Sequence, residues 1–293
     1  MTKKIDKYIL ITGITGFLGS SLAKFLLLKG YYVIGLKRSS LVNKNIIDNN
    51  KLIIFNSDRA SLEHIFSEYH IDIIINTATS SHNRGGDLSQ IMDANVAFPL
   101  KLLKQAYIDN NCKFINAGTF IPNKYVDSYF LSKKIFISCM KEYSKHIKIV
   151  DMRLQMLYGK HSSPTQFVSK IALDLLKEKE CLNLTKGDQE RDLVYIDDAV
   201  SAFYAVINNI NDFKDQYTEV DLGSGVSISI KNVVKKLKKI TSNQTTCLNF
   251  GSIEYRDNEI MSVKSDNEFL RSLGWEPRTS LDKGLKLTVD GLS

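Results

Sequence analysis

Along the first 155 residues, short apolar runs alternate with longer stretches whose apolar positions recur every three or four residues. The runs YILIT (8–12), YYVIGL (31–36), LIIF (52–55), IDIIIN (71–76), KFIN (113–116) and IKIVDMRL (147–154) have strand length and little polar alternation. Between them, GSSLAKFLLLKG, DLSQIMDANVAFPLKLLKQAYIDN and SYFLSKKIFISCMKEYSKH have the length and period of helices. Strands apolar on both faces need cover on both faces, so the alternation predicts an α/β fold, a doubly wound parallel sheet between two helical layers.

Past residue 160 the rhythm loosens. SKIALDLLKEKE, DDAVSAFYAVINNI and residues 231–241 read as helices, with LVYI and EVDL as short strands between them. The expected division is a first domain over 1–160, with 193–224 returning to it, and a smaller α+β lobe over 161–192 and 225–293. With only 4 Pro, and neither an internal repeat nor a low-complexity linker, no flexible hinge is expected.

Composition adds little to this picture. At 43% hydrophobic and 24% charged, the 293 residues suit an ordinary folded protein. The net charge of +7 admits a nucleic-acid partner, but the lysines are spread out. Their densest cluster, KNVVKKLKKI, carries Val233, Val234, Leu237 and Ile240 at helical spacing, which reads as the solvated face of a packed helix. Neither a nucleic-acid nor a membrane partner is expected, since the longest apolar runs are too short to span a bilayer. MTKKIDKYILITG passes from charge straight into strand residues, so the expected location is cytoplasmic. Cys112, Cys139, Cys181 and Cys247 are scattered without metal-ligand spacing and are expected to be reduced core thiols, with no metal site.

Chemistry enters with ITGITGFLGS, where Gly13, Gly16 and Gly19 follow the first strand and open the first helix. Glycines there permit a tight turn, close approach to a pyrophosphate and close helix-on-strand packing, while the helix N-terminus favours an anion. A Rossmann-type dinucleotide site is expected, with Gly13, Thr15, Gly16, Phe17, Leu18 and Gly19 around the phosphates and Ala78 after the fourth strand. The second strand ends in Lys37 and Arg38 with no acid, which favours the 2′-phosphate of NADPH/NADP+ over NAD. Ser57 and Asp58, after the third strand, are candidates for the adenine end, Asp58 equally for a turn or cap.

Tyr129 and Lys133 lie one helical turn apart. With 13 Tyr in a Lys-rich chain, about one such pair arises by chance, so the pair alone decides nothing. In company with the glycine loop and with Thr119 after the fifth strand, it resembles the extended short-chain dehydrogenase/reductase family. The likeness runs nearly the full length. IDIIINTATSSH is similar to the fourth strand and substrate loop of that family, Asn95 to its helix asparagine, and RLQMLYG, ERDLVYIDDAV and VDLGSGVSISI to its later signatures. The resemblance implies Thr119, Tyr129 and Lys133 as catalytic residues, with Asn95, Tyr129 and Lys133 also at the cofactor. It further implies Arg191 and Arg256 at a substrate diphosphate, His82 in the sugar pocket, and a homodimer.

Two departures narrow the chemistry. The 4,6-dehydratases of this family carry an acidic pair directly after the catalytic Thr, where this chain has Phe120 and Ile121, side chains that cannot move protons. Met156 replaces an asparagine that contacts substrate phosphates in many members. FINAGTFIPNK and FGSIEYRDNEIMSVKSDNEFLRSLGWEP are most similar to the CDP-abequose synthase group, implying NADPH-dependent reduction at C4 of a CDP-linked 4-keto-3,6-dideoxy sugar nucleotide for bacterial surface polysaccharide. Two other readings stand beside it: an NAD-retaining sugar-nucleotide 4-epimerase, and a non-catalytic NADP-binding sensor or scaffold.

Overall fold

The computed structural model describes residues 7–38, 48–81, 87–121 and 127–292. Its strands are β1 (Tyr8–Thr12), β2 (Tyr32–Lys37), β3 (Leu52–Asn56), β4 (Ile71–Asn76), β5 (Lys113–Thr119), β6 (Ile149–Leu154), β7 (Met156–Tyr158), β8 (Cys181–Leu184), β9 (Glu190–Tyr195), β10 (Tyr217–Leu222), β11 (Ser227–Ser229) and β12 (Cys247–Phe250). The helices are α1 (Phe17–Leu28), α2 (Leu62–Glu68), α3 (Leu88–Met92), α4 (Phe98–Asp109), α5 (Ser128–Tyr143), α6 (Phe167–Leu176), α7 (Ile196–Asn209), α8 (Ile230–Ile240), α9 (Glu268–Ser272) and α10 (Leu281–Asp290).

A seven-stranded parallel sheet in the order β10-β6-β5-β4-β1-β2-β3 carries the first part of the chain, flanked by helices. The predicted doubly wound architecture is the observed one. Consecutive residues of β1, β2 and β4 are buried, as two-sided cover requires. One face packs Leu10, Ile34, Ile74 and Phe114 against Leu102, Leu103 and Ala106 of α4 and Phe136 and Met140 of α5. Phe114 and Phe136 meet edge-on with centroids 6.2 Å apart.

Two compact units emerge, Met1–Arg153 with Ile207–Val220, and Leu154–Val206 with Asp221–Ser293. The return expected over 193–224 is thus divided: 207–220 groups with the first unit, 193–206 and 221–224 with the second. Residues 193–195 lie in β9, which pairs with β7 and β11 in a separate three-stranded sheet. In the second unit β8 and β12 form a two-stranded parallel ladder. There α8 buries Val233, Val234 and Leu237 and leaves lysines outside, as its pattern implied.

Three details depart from the sequence reading. The long helix expected over 87–110 is broken into α3, a wide π-turn at Asp93–Ala97 and α4. Pro99 stands at the head of α4, has no N–H to give, and would crowd the preceding turn of a continuous helix. β5 runs past Asn116 to Thr119 through Ala117 and Gly118, residues with no strand signal of their own. All four cysteines are free, but only Cys112 is a core thiol; Cys247 is exposed, because side chains alternate outward along β12, and Cys139 and Cys181 are half-buried.

Candidate functional site

In the first unit the C-terminal ends of β1 and β4 are stitched together. Thr12 Oγ1 donates to Asn76 Oδ1 at 2.8 Å and accepts from the Thr77 and Ala78 N–H groups, both at 3.1 Å. Thr77 Oγ1 donates back to the Thr12 carbonyl at 2.6 Å. The glycine turn sits on this stitch. Gly13 has φ +62°, and a Cβ there would lie 3.0 Å from the Ala78 backbone; a Cβ on Gly19 would collide with the Gly13 carbonyl oxygen. Gly16 differs: a Cβ would meet only the Gly13 oxygen, at 3.1 Å, and the residue is exposed. It caps α1 without a side-chain bond, and the first turn of that helix carries no acid. The cradle therefore offers uncapped N–H groups and a helix N-terminus to an anion, which suits a dinucleotide pyrophosphate. Leu18 is buried, so only its backbone can take part.

At the neighbouring corner the Ser57 N–H donates to the Lys37 carbonyl at 2.7 Å, bringing the ends of β2 and β3 together. Arg38 and Asp58 are exposed there. The Asn56 Oδ1 is buried with no partner among the described residues.

Tyr129 and Lys133 lie on successive turns of α5, which starts from Asp127, whose carboxylate accepts the Phe130 N–H at 3.1 Å. The Lys133 Nζ stands 5.6 Å from the Tyr129 ring centroid, and the lysine is 5% exposed. Ser132 pins the helix by donating to the Tyr129 carbonyl at 2.7 Å and accepting from Asn95 Nδ2 at 2.9 Å. Asn95, in the π-turn, also donates to the Ser80 carbonyl and accepts from the Ser80 N–H and the Thr79 hydroxyl. That corrects the expectation of a direct cofactor contact. Asn95 is 2% exposed and spends its bonds bracing the loop after β4 against α5. Thr119 ends β5, half-buried. His82 lies outside the described residues.

Sequence reasoning missed Asp151 and its neighbours. Asn76 Nδ2 donates to Asn116 Oδ1 at 2.9 Å, and Asn116 Nδ2 to Asp151 Oδ1 at 2.7 Å, extending the stitch across β5 to β6. Burial raises the Asp151 carboxyl to about 6, opposed by the Asn116 hydrogen bond and the Lys133 charge. Polar residues inside strands buried on both faces were the available signal.

In the second unit, Arg191 and Arg256 come to one turn. The Arg191 guanidinium pairs with Glu259 and donates to the Glu190 and Ile260 carbonyls at 2.7 and 2.5 Å. The Glu259 N–H closes the turn onto the Arg256 carbonyl at 3.0 Å, with Asn258 at φ +60° and Arg256 exposed. Next to Arg191, the buried Asp192 accepts the N–H groups of Ser224, Gly225 and Ser265 at 2.6, 2.9 and 3.1 Å. Asp198 accepts those of Arg278 and Thr279, both at 3.0 Å. These acids of ERDLVYIDDAV hold loops. Among the described residues no group of three metal-ligating side chains occurs, and no helix is long and apolar enough to cross a membrane.

Residues 9–220 match the NAD dependent epimerase/dehydratase family. CDP-abequose synthase of Salmonella typhimurium is 29% identical over 291 residues, covering 96% of this chain and 97% of that protein. Among solved structures, the UDP-glucose 4-epimerase of Thermotoga maritima with UDP-glucose superposes with a TM-score of 0.84 at 24% identity, covering 97% of this chain and 98% of that one. The Thermus thermophilus UDP-glucose 4-epimerase complex with NAD gives 0.82 at 20% identity over 97% and 98% of the two chains.

Proposed function

Because the chain belongs to the NAD dependent epimerase/dehydratase family, we propose that it is an NADPH-dependent sugar-nucleotide 4-ketoreductase. Its substrate would be a nucleoside-diphosphate 4-keto-3,6-dideoxy sugar, CDP-4-keto-3,6-dideoxyglucose in the first instance. The observation that carries this reading is the end-to-end likeness to CDP-abequose synthase, which spans the segments of the second unit as well as the nucleotide cradle. Phe120 and Ile121 support reduction over elimination, since neither can take or give a proton.

The dinucleotide, when bound, supplies the hydride. Everything else falls to the chain. The glycine cradle and the start of α1 hold the pyrophosphate, while Lys37 and Arg38, with no acid at the end of β2, receive a 2′-phosphate. Tyr129 delivers the proton to the C4 oxygen. A phenol near pKa 10 is a poor partner at neutral pH, and the Lys133 ammonium close to its ring brings phenol and phenolate nearer in energy. Thr119 donates a hydrogen bond to the same oxygen, and Lys133 also holds the nicotinamide ribose. Arg191 and Arg256 take the diphosphate, Arg191 exchanging part of its Glu259 contact for phosphate oxygens.

The deciding experiment is NADPH consumption with CDP-4-keto-3,6-dideoxyglucose, with the C4 configuration of the product read by NMR. Consumption by the wild type and its loss in Tyr129→Phe are expected. The 4-epimerase reading is favoured by the fold neighbours, which are epimerases. It would replace the proposal if NAD co-purifies, NADPH is untouched and a sugar nucleotide isomerises.

A further inference from the structure

The polar chain Thr12, Asn76, Asn116, Asp151 crosses four neighbouring strands through side-chain hydrogen bonds of 2.8, 2.9 and 2.7 Å. It ends on a carboxylate with no solvent exposure, whose Oδ2 has no partner among the described residues. A buried acid so sparsely hydrogen-bonded is expensive unless a nearby charge offsets it. Two contacts place it. A Cβ at Gly118 would collide with Asp151 Oδ1, so the carboxylate lies against the residue that precedes Thr119. The ammonium of Lys133, itself 5% exposed, acts on the same carboxylate. Asp151 thus touches the end of β5 that presents Thr119 and feels the cation of α5 that faces Tyr129.

We propose that Asp151 is a positioning residue for the Tyr129 and Lys133 pair, holding the ammonium and setting how much of its charge reaches the phenol. The proposal deepens the reading of Tyr129 as proton donor and rests on it. While Asp151 is ionised it offsets Lys133, and the phenol keeps its proton to higher pH; without that negative charge the ammonium acts undiminished and the phenolate forms at lower pH. The carboxyl, raised by burial to about 6, changes state just below neutrality. The charged and titratable groups facing it are Lys133 from α5, Arg153 from its own strand, and Tyr217 and Glu219 from β10. Glu219 is already paired with Arg153 at 2.8 Å, which leaves Lys133 as the cation whose balance Asp151 controls.

Asp151→Asn keeps the shape and the oxygen that accepts from Asn116 and removes the charge. The readout is the titration of the Tyr129 phenol by ultraviolet absorbance, taken as the difference between each protein and its Tyr129→Phe counterpart, with NADP+ bound. Asp151→Asn is expected to lower that titration by about one pH unit, and the alkaline limb of NADPH consumption should move the same way. Asp151→Val, which completes an apolar strand, should give the same shift should the asparagine variant fold poorly. In a Lys133→Gln background the shift should vanish, because it acts through the ammonium. An unchanged titration in both folded variants, or a shift that persists without Lys133, overturns the proposal. The titration needs no sugar substrate: if it behaves as expected while no ketone is reduced, the reductase reading fails and the role of Asp151 stands.

Discussion

Two cations on which the chain's chemistry depends are kept in opposite ways. Lys133 is 5% exposed and has a buried carboxylate within electrostatic reach, yet forms no salt bridge among the described residues. Arg191, with a side chain 17% exposed, is locked to Glu259 and two backbone carbonyls. A charge left without a contact partner can still act on a third group, here the Tyr129 ring 5.6 Å away. A charge already neutralised cannot, and an anionic ligand must win it from Glu259. The first arrangement suits tuning a proton; the second suits gripping a ligand at a cost that limits affinity.

The sharpest way to break this contrast is Tyr129→Phe. The reductase reading expects reduction to fall by about 10²–10⁴-fold with NADPH binding retained by fluorescence titration; intact turnover would leave Lys133 without a phenol to tune. Next comes the cost of the buried acid. Its folded pKa of about 6 lies above the usual 3.8, so the native state binds this proton more tightly than the unfolded chain does. The stability it contributes is present at low pH and is lost as pH rises through about 6, by roughly 3 kcal/mol in all. Thermal melts of wild type against Asp151→Asn should therefore favour the variant increasingly from about pH 4 to about pH 7, and a constant difference would sink the assignment.

At the second cation, Arg191→Met should raise KM for the sugar nucleotide by about 10–100-fold with little change in kcat. Glu259→Gln should lower KM a few-fold, roughly as an exposed-to-half-buried pair allows, because the guanidinium no longer has to be won. If both variants raise KM alike, the pair works as one structural unit and the contrast with Lys133 is empty. The smallest effect is expected at the cofactor corner, where Arg38→Ala should cut the kcat/KM preference for NADPH over NADH by about 10-fold. An unchanged ratio would remove the argument for a 2′-phosphate.

What could be read beforehand follows from what leaves a periodic trace. Two-sided burial writes itself as unbroken apolar runs, so β1 and β4 fall on the residues expected of them. The glycine turn was legible because only glycine tolerates the Gly13 φ of +62° and the packing at Gly19. Asp151 was not, because within IKIVDMRL it looks like a lone interruption; its meaning lies in Asn76 and Asn116, which are distant in sequence and adjacent only across the sheet. The pairing of Arg191 with Glu259 joins residues 68 apart, a distance no local pattern spans. The end of β5 was lost for a different reason: Gly118 is there to make room for Asp151, not to favour a strand.

The π-turn at Asp93–Ala97, closed by the Phe98 N–H on the Asp93 carbonyl, works as a change of phase. One extra residue in a helical turn rotates all that follows by about 100° about the axis. Upstream of that slip, Asn95 is aimed at the loop after β4 and at Ser132; downstream, Leu102, Leu103 and Ala106 are aimed at the sheet. A regular helix has one clock and could keep only one of those appointments. Removing a single residue from this turn would therefore either unhook α5 from its brace or turn the hydrophobic side of α4 to water, although no side chain in contact with a ligand had been touched.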